Sequence, residues 1–290
     1  MNKKIFIFGS SGQLGKEFIN SRDFQEKFTM VPFSKNDCDI TNLDAAKRLL
    51  SEGKPDFLIN CAAYTNVDNA EYEQEKANLV NNLAVSNISK LCHEMNITLI
   101  HFSTDYVFDG ISKRSIKETD TKNPLNFYGK TKHLGEEEVL KNCKKFFIFR
   151  VCWIYGKYGN NFPTKIIKLI NDNADITVVD DQIGAPISTS AIVTIIYKIM
   201  SERKLTDSYG IYNIAPNNFC SRHDMAEKIK KNFKNYSKEI YRIKSKDLTT
   251  DITRPQYSCL DNAYLKKTFK IELKNWDDYL VSFLEDLYGE

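Results

Sequence analysis

The cysteines and histidines of this sequence are few and form no pattern that would hold a disulfide framework or a zinc ion. The seven cysteines are odd in number and widely spaced, no Cys-x-x-Cys pair occurs, and there are only four histidines. Small disulfide-stabilised domains and zinc modules are therefore excluded, and we expect reduced thiols in a cytoplasmic protein. We expect no metal ion.

Long apolar runs and a strong charge of one sign are also missing. No segment approaches the roughly 20 apolar residues of a membrane span, and the apolar run before Gly9 is shorter than a signal peptide. A net charge of +3, with lysines spread along the chain, is too weak to indicate a nucleic acid or a membrane surface as partner. We therefore expect a cytoplasmic monomer or homodimer.

What the sequence does contain is an alternation of short apolar strands with helical segments. This alternation indicates the α/β class, with a Rossmann-type, doubly wound parallel sheet. A helix is predicted over residues 73–95, with Leu79, Leu83 and Ile88 on one side. The strands of this part are predicted over residues 3–8, 29–33, 55–61, 97–102 and 146–151.

The pattern changes beyond residue 156, although no linker, repeat or low-complexity segment marks a boundary. We assign residues 1–156 to an NAD(P)-binding Rossmann domain and 157–290 mainly to a smaller C-terminal substrate-binding lobe, with room for crossings back to the first domain. Helices are predicted there over 161–169 and 188–200, strands over 176–179 and 211–215, and a turn-rich loop over 180–186.

Three of the twelve glycines lie close together directly after the first strand. In Gly9-Ser-Ser-Gly-Gln-Leu-Gly15, the first glycine allows a sharp turn, Gly12 lets the backbone approach a pyrophosphate, and Gly15 lets helix and strand pack closely. A glycine cluster alone often marks a plain turn, but its place between a strand and a helix favours a dinucleotide site. The predicted cofactor contacts here are Gly9, Ser11, Gly12, Gln13, Leu14 and Gly15.

Further cofactor contacts are predicted after the second and third strands. The second strand ends at Ser34 and Lys35 rather than at an acidic residue, which favours NADP(H) over NAD(H) because Lys35 can accept a 2′-phosphate. Asp39 and Ile40 would border the adenine. Small residues follow the third strand, where a cofactor can lie flat on the backbone; the predicted contacts are Cys61, Ala62, Ala63 and Tyr64.

The stretch from Ser103 to Lys132 carries the predicted chemistry. Thr104 follows a buried strand, where open α/β sheets bind ligands, and Asn126 leads into a helix that carries Tyr128 and Lys132 on one face. A hydroxyl, a phenol and an ammonium can then converge where a carbonyl is reduced. Tyr72 and Lys76 have the same spacing, but their acidic segment without a preceding hydroxyl motif favours an exposed helix face.

These residue types suit the reduction of a ketone. Hydride delivered to the carbonyl carbon leaves charge on its oxygen, which needs a proton donor within hydrogen-bonding distance. A free tyrosine has a pKa near 10, and a nearby ammonium favours the phenolate, so we expect Lys132 to lower the pKa of Tyr128. Thr104 would bind and orient the carbonyl oxygen, and a strand-end cap is its alternative role.

Several motifs, in one order along nearly the whole chain, resemble the extended short-chain dehydrogenase/reductases. The motifs are Gly9 to Gly15, Asp39-Ile-Thr41, Asn60 to Glu71, Ser103-Thr-Asp-Tyr-Val-Phe-Asp-Gly110, Tyr128-Gly-Lys-Thr-Lys132, Arg150-x-x-Trp153-Ile-Tyr-Gly156, Val179 to Pro186 and Arg254-Pro255. Within that family the sequence is most similar to the dTDP-4-dehydrorhamnose reductases. The resemblance implies that Thr104, Tyr128 and Lys132 are catalytic. It implies a substrate pocket formed by Val67, Thr104, Asp105, Trp153, Gln182 and Arg254.

The activity that this resemblance implies is NADPH- or NADH-dependent reduction of C4 of dTDP-4-dehydro-L-rhamnose, giving dTDP-L-rhamnose for cell-surface polysaccharide. Some members bridge dimers through magnesium; Glu17 matches one such position, but Ser190 stands where a second glutamate would be. Two alternatives remain open. One is a reductase of another 4-keto deoxysugar nucleotide, and the other is a non-catalytic, dinucleotide-binding regulatory subunit like that of methionine adenosyltransferase.

Overall fold

The computed structural model describes residues 2–201, 205–248 and 252–288. Its strands are β1 (Lys4–Phe8), β2 (Thr29–Phe33), β3 (Phe57–Asn60), β4 (Thr98–Thr104), β5 (Phe146–Val151), β6 (Ile176–Val179), β7 (Ile183–Gly184), β8 (Gly210–Ile214), β9 (Cys220–Ser221), β10 (Ile240–Ile243) and β11 (Tyr257–Ser258).

The helices lie mostly between these strands. They are α1 (Gln13–Ile19), α2 (Arg22–Lys27), α3 (Leu43–Gly53), α4 (Val67–Ala70), α5 (Gln74–Asn78), α6 (Ala84–Glu94), α7 (Phe127–Asn142), α8 (Phe162–Asn171), α9 (Thr189–Ser201), α10 (Arg222–Lys230), α11 (Ala263–Phe269) and α12 (Trp276–Tyr288). A π-helical turn over Leu79–Leu83 joins α5 to α6, and short 3-10 turns span Asp105–Val107, Leu205–Ser208 and Ser245–Asp247.

Six parallel strands form the large sheet, in the order β2-β1-β3-β4-β5-β8. The chain leaves β1 toward β2 on one side and later reaches β3 on the other. The order therefore reverses at β1, and the crevice beyond the carboxyl ends of β1 and β3 is where a doubly wound sheet binds ligands. The predicted fold class is confirmed.

Both faces of the large sheet are covered, which explains the uninterrupted apolar character of its strands. Ile5 and Ile7 pack with α1, α9 and α11 on one face, while Phe6 and Phe8 pack with α3, α6 and α7 on the other. Helix α9, strand β8 and helix α11 lie beyond residue 156 and yet belong to this layer. The chain therefore returns to the large sheet after leaving it.

A second, smaller core lies between α8, α10 and α12. It contains Ile166, Met225 and Leu280, and the two-stranded sheet β10-β6 and the three-stranded sheet β11-β7-β9 lie beside it. Strand β7 falls inside the segment 180–186 that was predicted as a loop. Its pairing partners come from far along the chain, so no local pattern marks it.

The structure adds two details to the predictions for the central part of the chain. Strand β4 continues to Thr104 because Ser103 and Thr104 pair with Arg150 and Val151 of β5, and such backbone pairing does not require apolar side chains. The helix predicted over 73–95 is present over residues 74–94, with the π-helical turn within it. Leu79 and Leu83 belong to this turn and are 41% and 48% exposed.

Candidate active site

Thr104, Tyr128 and Lys132 lie at the carboxyl end of β4. Thr104 is the last residue of that strand, and α7 carries the other two near its start, where the Asn126 side chain accepts a hydrogen bond from the Gly129 amide at 2.8 Å. Gly129 permits a close approach, because a Cβ there would lie 2.2 Å from the Tyr106 carbonyl oxygen. The structure thus brings the predicted catalytic residues to one place.

The surroundings of Tyr128 disfavour ionisation of its phenol. Burial raises the pKa of its phenol, and the interaction with the Thr104 hydroxyl, which lowers that pKa, offsets this only in part. Lys132 does not lower that pKa as expected, because its side-chain nitrogen donates to the Phe102 carbonyl at 2.7 Å instead. Burial also lowers the pKa of Lys132 to about 8. The expectation that Lys132 lowers the pKa of Tyr128 is therefore not met here.

Asp105 and Tyr106 complete the turn that follows β4. The Asp105 carboxylate is buried, accepts a hydrogen bond from the Thr104 hydroxyl at 3.0 Å, and has its pKa raised by that burial. The ring of Tyr106 meets the ring of Tyr128 edge-on, with centroids 5.8 Å apart. This contact leaves Tyr128 half-buried, neither turned out to solvent nor enclosed in the core.

The glycine-rich turn touches the segment after β3. Gly9 has φ +73°, and a Cβ there would lie 2.5 Å from the Ala62 amide nitrogen, so only glycine permits this contact. Two predicted cofactor segments, Gly9–Gly15 and Cys61–Tyr64, are thereby adjacent. Gly15 packs against the turn rather than against the strand, since a Cβ there would lie 2.4 Å from the Gly9 carbonyl oxygen.

Not every predicted cofactor residue offers its side chain to the crevice. The side chains of Leu14 and Ile40 are buried in the two layers of the core, so only their backbone is available. The Gln13 side chain accepts a hydrogen bond from Asn161 at 2.7 Å and so ties the glycine-rich turn to α8. Ser11 is exposed.

The end of β2 carries charges of both signs. The Ser34 hydroxyl donates to Asp37 at 2.6 Å, and Lys35 lies 3.6 Å from Asp39 in an exposed ion pair. The hydrogen bond from Ser34 lowers the pKa of Asp37, and that from the Thr41 amide lowers the pKa of Asp39. Asp37 was not foreseen from the sequence.

Two of the six predicted substrate residues line a common cavity. Gln182 and Arg254 line one cavity of about 430 Å³. Arg254 forms an ion pair with Asp68, the neighbour of Val67, and so joins the C-terminal segment to the segment after β3. Trp153 has a left-handed backbone, with φ +47°, and packs closely on Gly184. A larger cavity of about 670 Å³ lies at the amino ends of the strands of the large sheet, and none of these residues lines it.

Sequence reasoning missed three polar groups beside these residues, of which Asn81 and His101 are fully buried. Asn81, in the π-helical turn, accepts from the Tyr64 amide at 2.9 Å and donates to the Thr131 hydroxyl at 3.1 Å. Arg222 places its guanidinium 3.7 Å from the centre of the Trp153 ring. His101 lies between Asn60 and Lys132. A buried polar residue within an apolar strand was the available signal for His101.

Other features of the described residues bear on the remaining predictions. All seven cysteines are free thiols. Within ranges 2–201, 205–248 and 252–288, no group of three or more acidic, histidine or cysteine side chains is arranged to hold a metal ion. Glu17 instead accepts a hydrogen bond from the Thr189 hydroxyl at 2.8 Å. No helix in those same ranges has the length and apolar character needed to cross a membrane.

Known proteins match this chain over nearly its whole length. The RmlD substrate binding domain model matches residues 3–288. A dTDP-4-dehydrorhamnose reductase of Aggregatibacter actinomycetemcomitans is 33% identical, with 94% of this chain and 95% of that protein covered.

Solved structures agree with the sequence matches. The dTDP-4-dehydrorhamnose reductase of Bacillus anthracis, solved in complex with NADP, is 32% identical with a TM-score of 0.93, covering 99% of this chain and 100% of the other. The Clostridium acetobutylicum counterpart is 33% identical with a TM-score of 0.92, covering 98% and 99%. This chain therefore belongs to the dTDP-4-dehydrorhamnose reductase family of the extended short-chain dehydrogenase/reductases.

Proposed function

We propose that this protein reduces the C4 keto group of dTDP-4-dehydro-L-rhamnose to dTDP-L-rhamnose, with NADPH preferred to NADH, in the cytoplasm. The observation that carries the proposal is the placement of Thr104, Tyr128 and Lys132 together at the carboxyl end of β4. The choice of substrate is supported by similarity, over nearly the whole chain, to proteins named dTDP-4-dehydrorhamnose reductases.

The residues at the crevice beyond the carboxyl ends of β1 and β3 fit a dinucleotide. Gly9 and Gly12 have no side chains, and the contact of Gly9 with Ala62 leaves two stretches of backbone side by side. Backbone amides at the start of α1 suit the pyrophosphate, and Ser34 and Lys35 suit the adenosine ribose and its 2′-phosphate. When bound, the cofactor supplies the hydride that goes to the carbonyl carbon.

The chain's own residues handle the carbonyl oxygen and its proton. Once its hydroxyl turns away from Asp105, Thr104 donates a hydrogen bond to that oxygen and orients it. Tyr128 gives its phenolic proton to the oxygen as charge develops there. Lys132 binds the nicotinamide ribose and, once its ammonium is turned toward Tyr128, stabilises the phenolate that remains. Water then restores the proton.

We further propose that the sugar nucleotide is held by Val67, Asp105 and Trp153 from the part of the chain before residue 157, and by Gln182 and Arg254 from the part after it. The cavity that Gln182 and Arg254 line supports this role, as does the half-buried indole of Trp153. Arg254 is already paired with Asp68, so the diphosphate would compete with that carboxylate.

The test is to follow NADPH oxidation in the near ultraviolet with the purified protein and dTDP-4-dehydrorhamnose. Oxidation matched by one equivalent of dTDP-rhamnose supports the proposal. Oxidation only with another 4-keto deoxysugar nucleotide would change the substrate. Cofactor binding without oxidation of any of these sugars would contradict an enzymatic role and favour a regulatory subunit.

A further inference from the structure

His101 occupies a completely buried position directly behind Lys132. It pairs with Asn60 across strands β4 and β3, and its ring nitrogens have one polar neighbour each. Nδ1 lies 3.3 Å from the Asn60 amide nitrogen, and Nε2 lies 3.4 Å from the Lys132 side-chain nitrogen. No solvent is needed to connect the three groups, which form a short chain of contacts beneath the candidate active site.

The direction of the first contact is fixed by a backbone group. The Ala62 amide donates to the Asn60 side-chain oxygen at 3.1 Å, so the Asn60 amide nitrogen is the atom that faces His101. That nitrogen only donates, and it requires an acceptor at Nδ1. Because burial lowers the pKa of His101 well below its usual value, the ring is neutral and carries one proton. That proton is therefore on Nε2.

The second contact then depends on the charge of Lys132. The lysine donates to the Phe102 carbonyl at 2.7 Å, and an ammonium would turn further hydrogens toward the Nε2–H group. An ammonium has no lone pair, so this contact would join two donors. The other tautomer of His101 only moves the conflict to Asn60. A neutral amine removes it, since the lysine lone pair accepts from Nε2–H while an N–H still donates to Phe102.

We propose that His101 is a positioning residue that favours the neutral amine form of Lys132 in the free protein, and that dinucleotide binding shifts this lysine toward the ammonium. The inference rests on the proposed cofactor. The ribose hydroxyls would offer Lys132 new acceptors away from His101, and an ammonium is the stronger donor to them. The bound state therefore favours the protonated lysine.

The ionisable groups around Lys132 agree with this assignment. His101 on β4 is neutral, and Asn60 on β3 carries no charge. On α7, Glu136 raises the pKa of Lys132, but both its carboxylate oxygens are held by Arg150, and Tyr128 stays a neutral phenol because burial raises its pKa. Burial is the dominant cause and lowers the pKa of Lys132 to about 8.

The sign of the pH dependence follows from linkage. A group whose pKa is higher in the complex takes up protons on binding, and the affinity is greatest below its pKa in the free protein. With a pKa of about 8 in the free protein, the complex should take up about half a proton at pH 8. Affinity for NADP⁺ should fall about tenfold between pH 7 and pH 9.

The experiment is calorimetric titration with NADP⁺, which binds without turnover, in two buffers of different ionisation enthalpy. The wild-type protein should show the proton uptake. His101→Gln puts a side-chain carbonyl within reach of the ammonium, so uptake should vanish and affinity should change less than about twofold over the same pH range. His223→Gln is the matched control, because His223 is also buried but bonds to Ile240, and it should keep the uptake.

The outcomes separate this inference from the proposed function. Failure of the wild-type protein to bind NADP⁺ would overturn the cofactor assignment and with it this inference, whereas binding without proton exchange would overturn the inference alone. Unchanged uptake in His101→Gln would also overturn it. If that variant does not fold, Lys132→Met serves instead: uptake that persists without the lysine amine would place the proton elsewhere and contradict the proposal.

Discussion

The Arg150 guanidinium and the Glu136 carboxylate form a two-pronged ion pair in which neither side chain is exposed. Nε donates to Oε1 at 2.8 Å and Nη2 to Oε2 at 2.6 Å, while Nη1 donates to the Glu118 carbonyl at 3.0 Å. Glu136 lies on α7 one turn beyond Lys132, and Arg150 lies on β5. The pair therefore fixes the helix that carries Tyr128 against the sheet that carries Thr104.

Breaking this pair should destabilise the fold severely. Glu136→Gln leaves a buried guanidinium without its counter-charge, and we expect a loss of about 3–5 kcal/mol in the free energy of unfolding, measured by urea denaturation. The control is Arg22→Gln, which removes a pair that is 87% and 62% exposed and should cost less than about 1 kcal/mol. An equal loss of unfolding free energy in both variants would show that burial does not determine how much an ion pair contributes to stability.

Tyr128→Phe tests the proton donor. Removing the phenolic hydroxyl should leave NADPH affinity nearly unchanged and reduce turnover at least about 10²-fold, because the carbonyl oxygen loses its acid. Tyr72→Phe is the matched control, since Tyr72 has the same spacing to a lysine but is 78% exposed. Turnover in Tyr128→Phe within a factor of two of wild type would show that another group is the acid.

Thr104 should act on both the carbonyl oxygen and the phenol. Thr104→Val removes a donor from the developing charge, so turnover should fall by about 10²-fold or more, while Thr104→Ser should retain most of it. The Thr104 hydroxyl lowers the pKa of Tyr128. Its removal should raise that pKa and move the high-pH limb of the turnover profile to higher pH. A Val variant with the wild-type profile would leave Thr104 as a strand-end cap.

Lys35 should contribute to the choice between NADPH and NADH. Its exposed ammonium lies near Asp39 at the end of β2, and Lys35→Glu would place a negative charge beside the 2′-phosphate. We expect the ratio of kcat/KM for NADPH over NADH to fall about tenfold, a difference near 1.4 kcal/mol. Lys267→Glu, an exposed lysine on α11, should leave the ratio unchanged. An unaltered ratio in Lys35→Glu would exclude Lys35 from cofactor selection.

Local sequence patterns were sufficient to predict the positions of most strands of the large sheet. Its strands are apolar because both faces are covered, so β1, β2 and β5 could be predicted within a residue from composition alone. The Asn126 cap and the spacing of Tyr128 and Lys132 are likewise local features. The exposed state of Tyr72, deduced from its acidic surroundings, was also correct.

Features that depend on packing across the chain could not be predicted in this way. The π-helical turn packs its Asn81 carbonyl against Gly135 of α7, where a Cβ would lie 2.2 Å away. The two-residue strands β7, β9 and β11 exist only because distant segments pair. The pKa of Tyr128 depends on how far α7 buries it, and the spacing to Lys132 contains no information about that depth.

Alanine substitutions at Gly12 and Gly15 should affect different properties, the first cofactor binding and the second stability. A Cβ at Gly15 would lie 2.4 Å from the Gly9 carbonyl oxygen, within rigid backbone, so Gly15→Ala should lower the midpoint of urea unfolding even without cofactor. A Cβ at Gly12 would lie 3.3 Å from the same oxygen, which a small shift can relieve. Gly12→Ala should therefore unfold almost like the wild type but bind NADPH more weakly, since its methyl group occupies the pyrophosphate's side of the turn. Equal NADPH affinity in Gly12→Ala and wild type would mean that the pyrophosphate does not approach the backbone at this glycine.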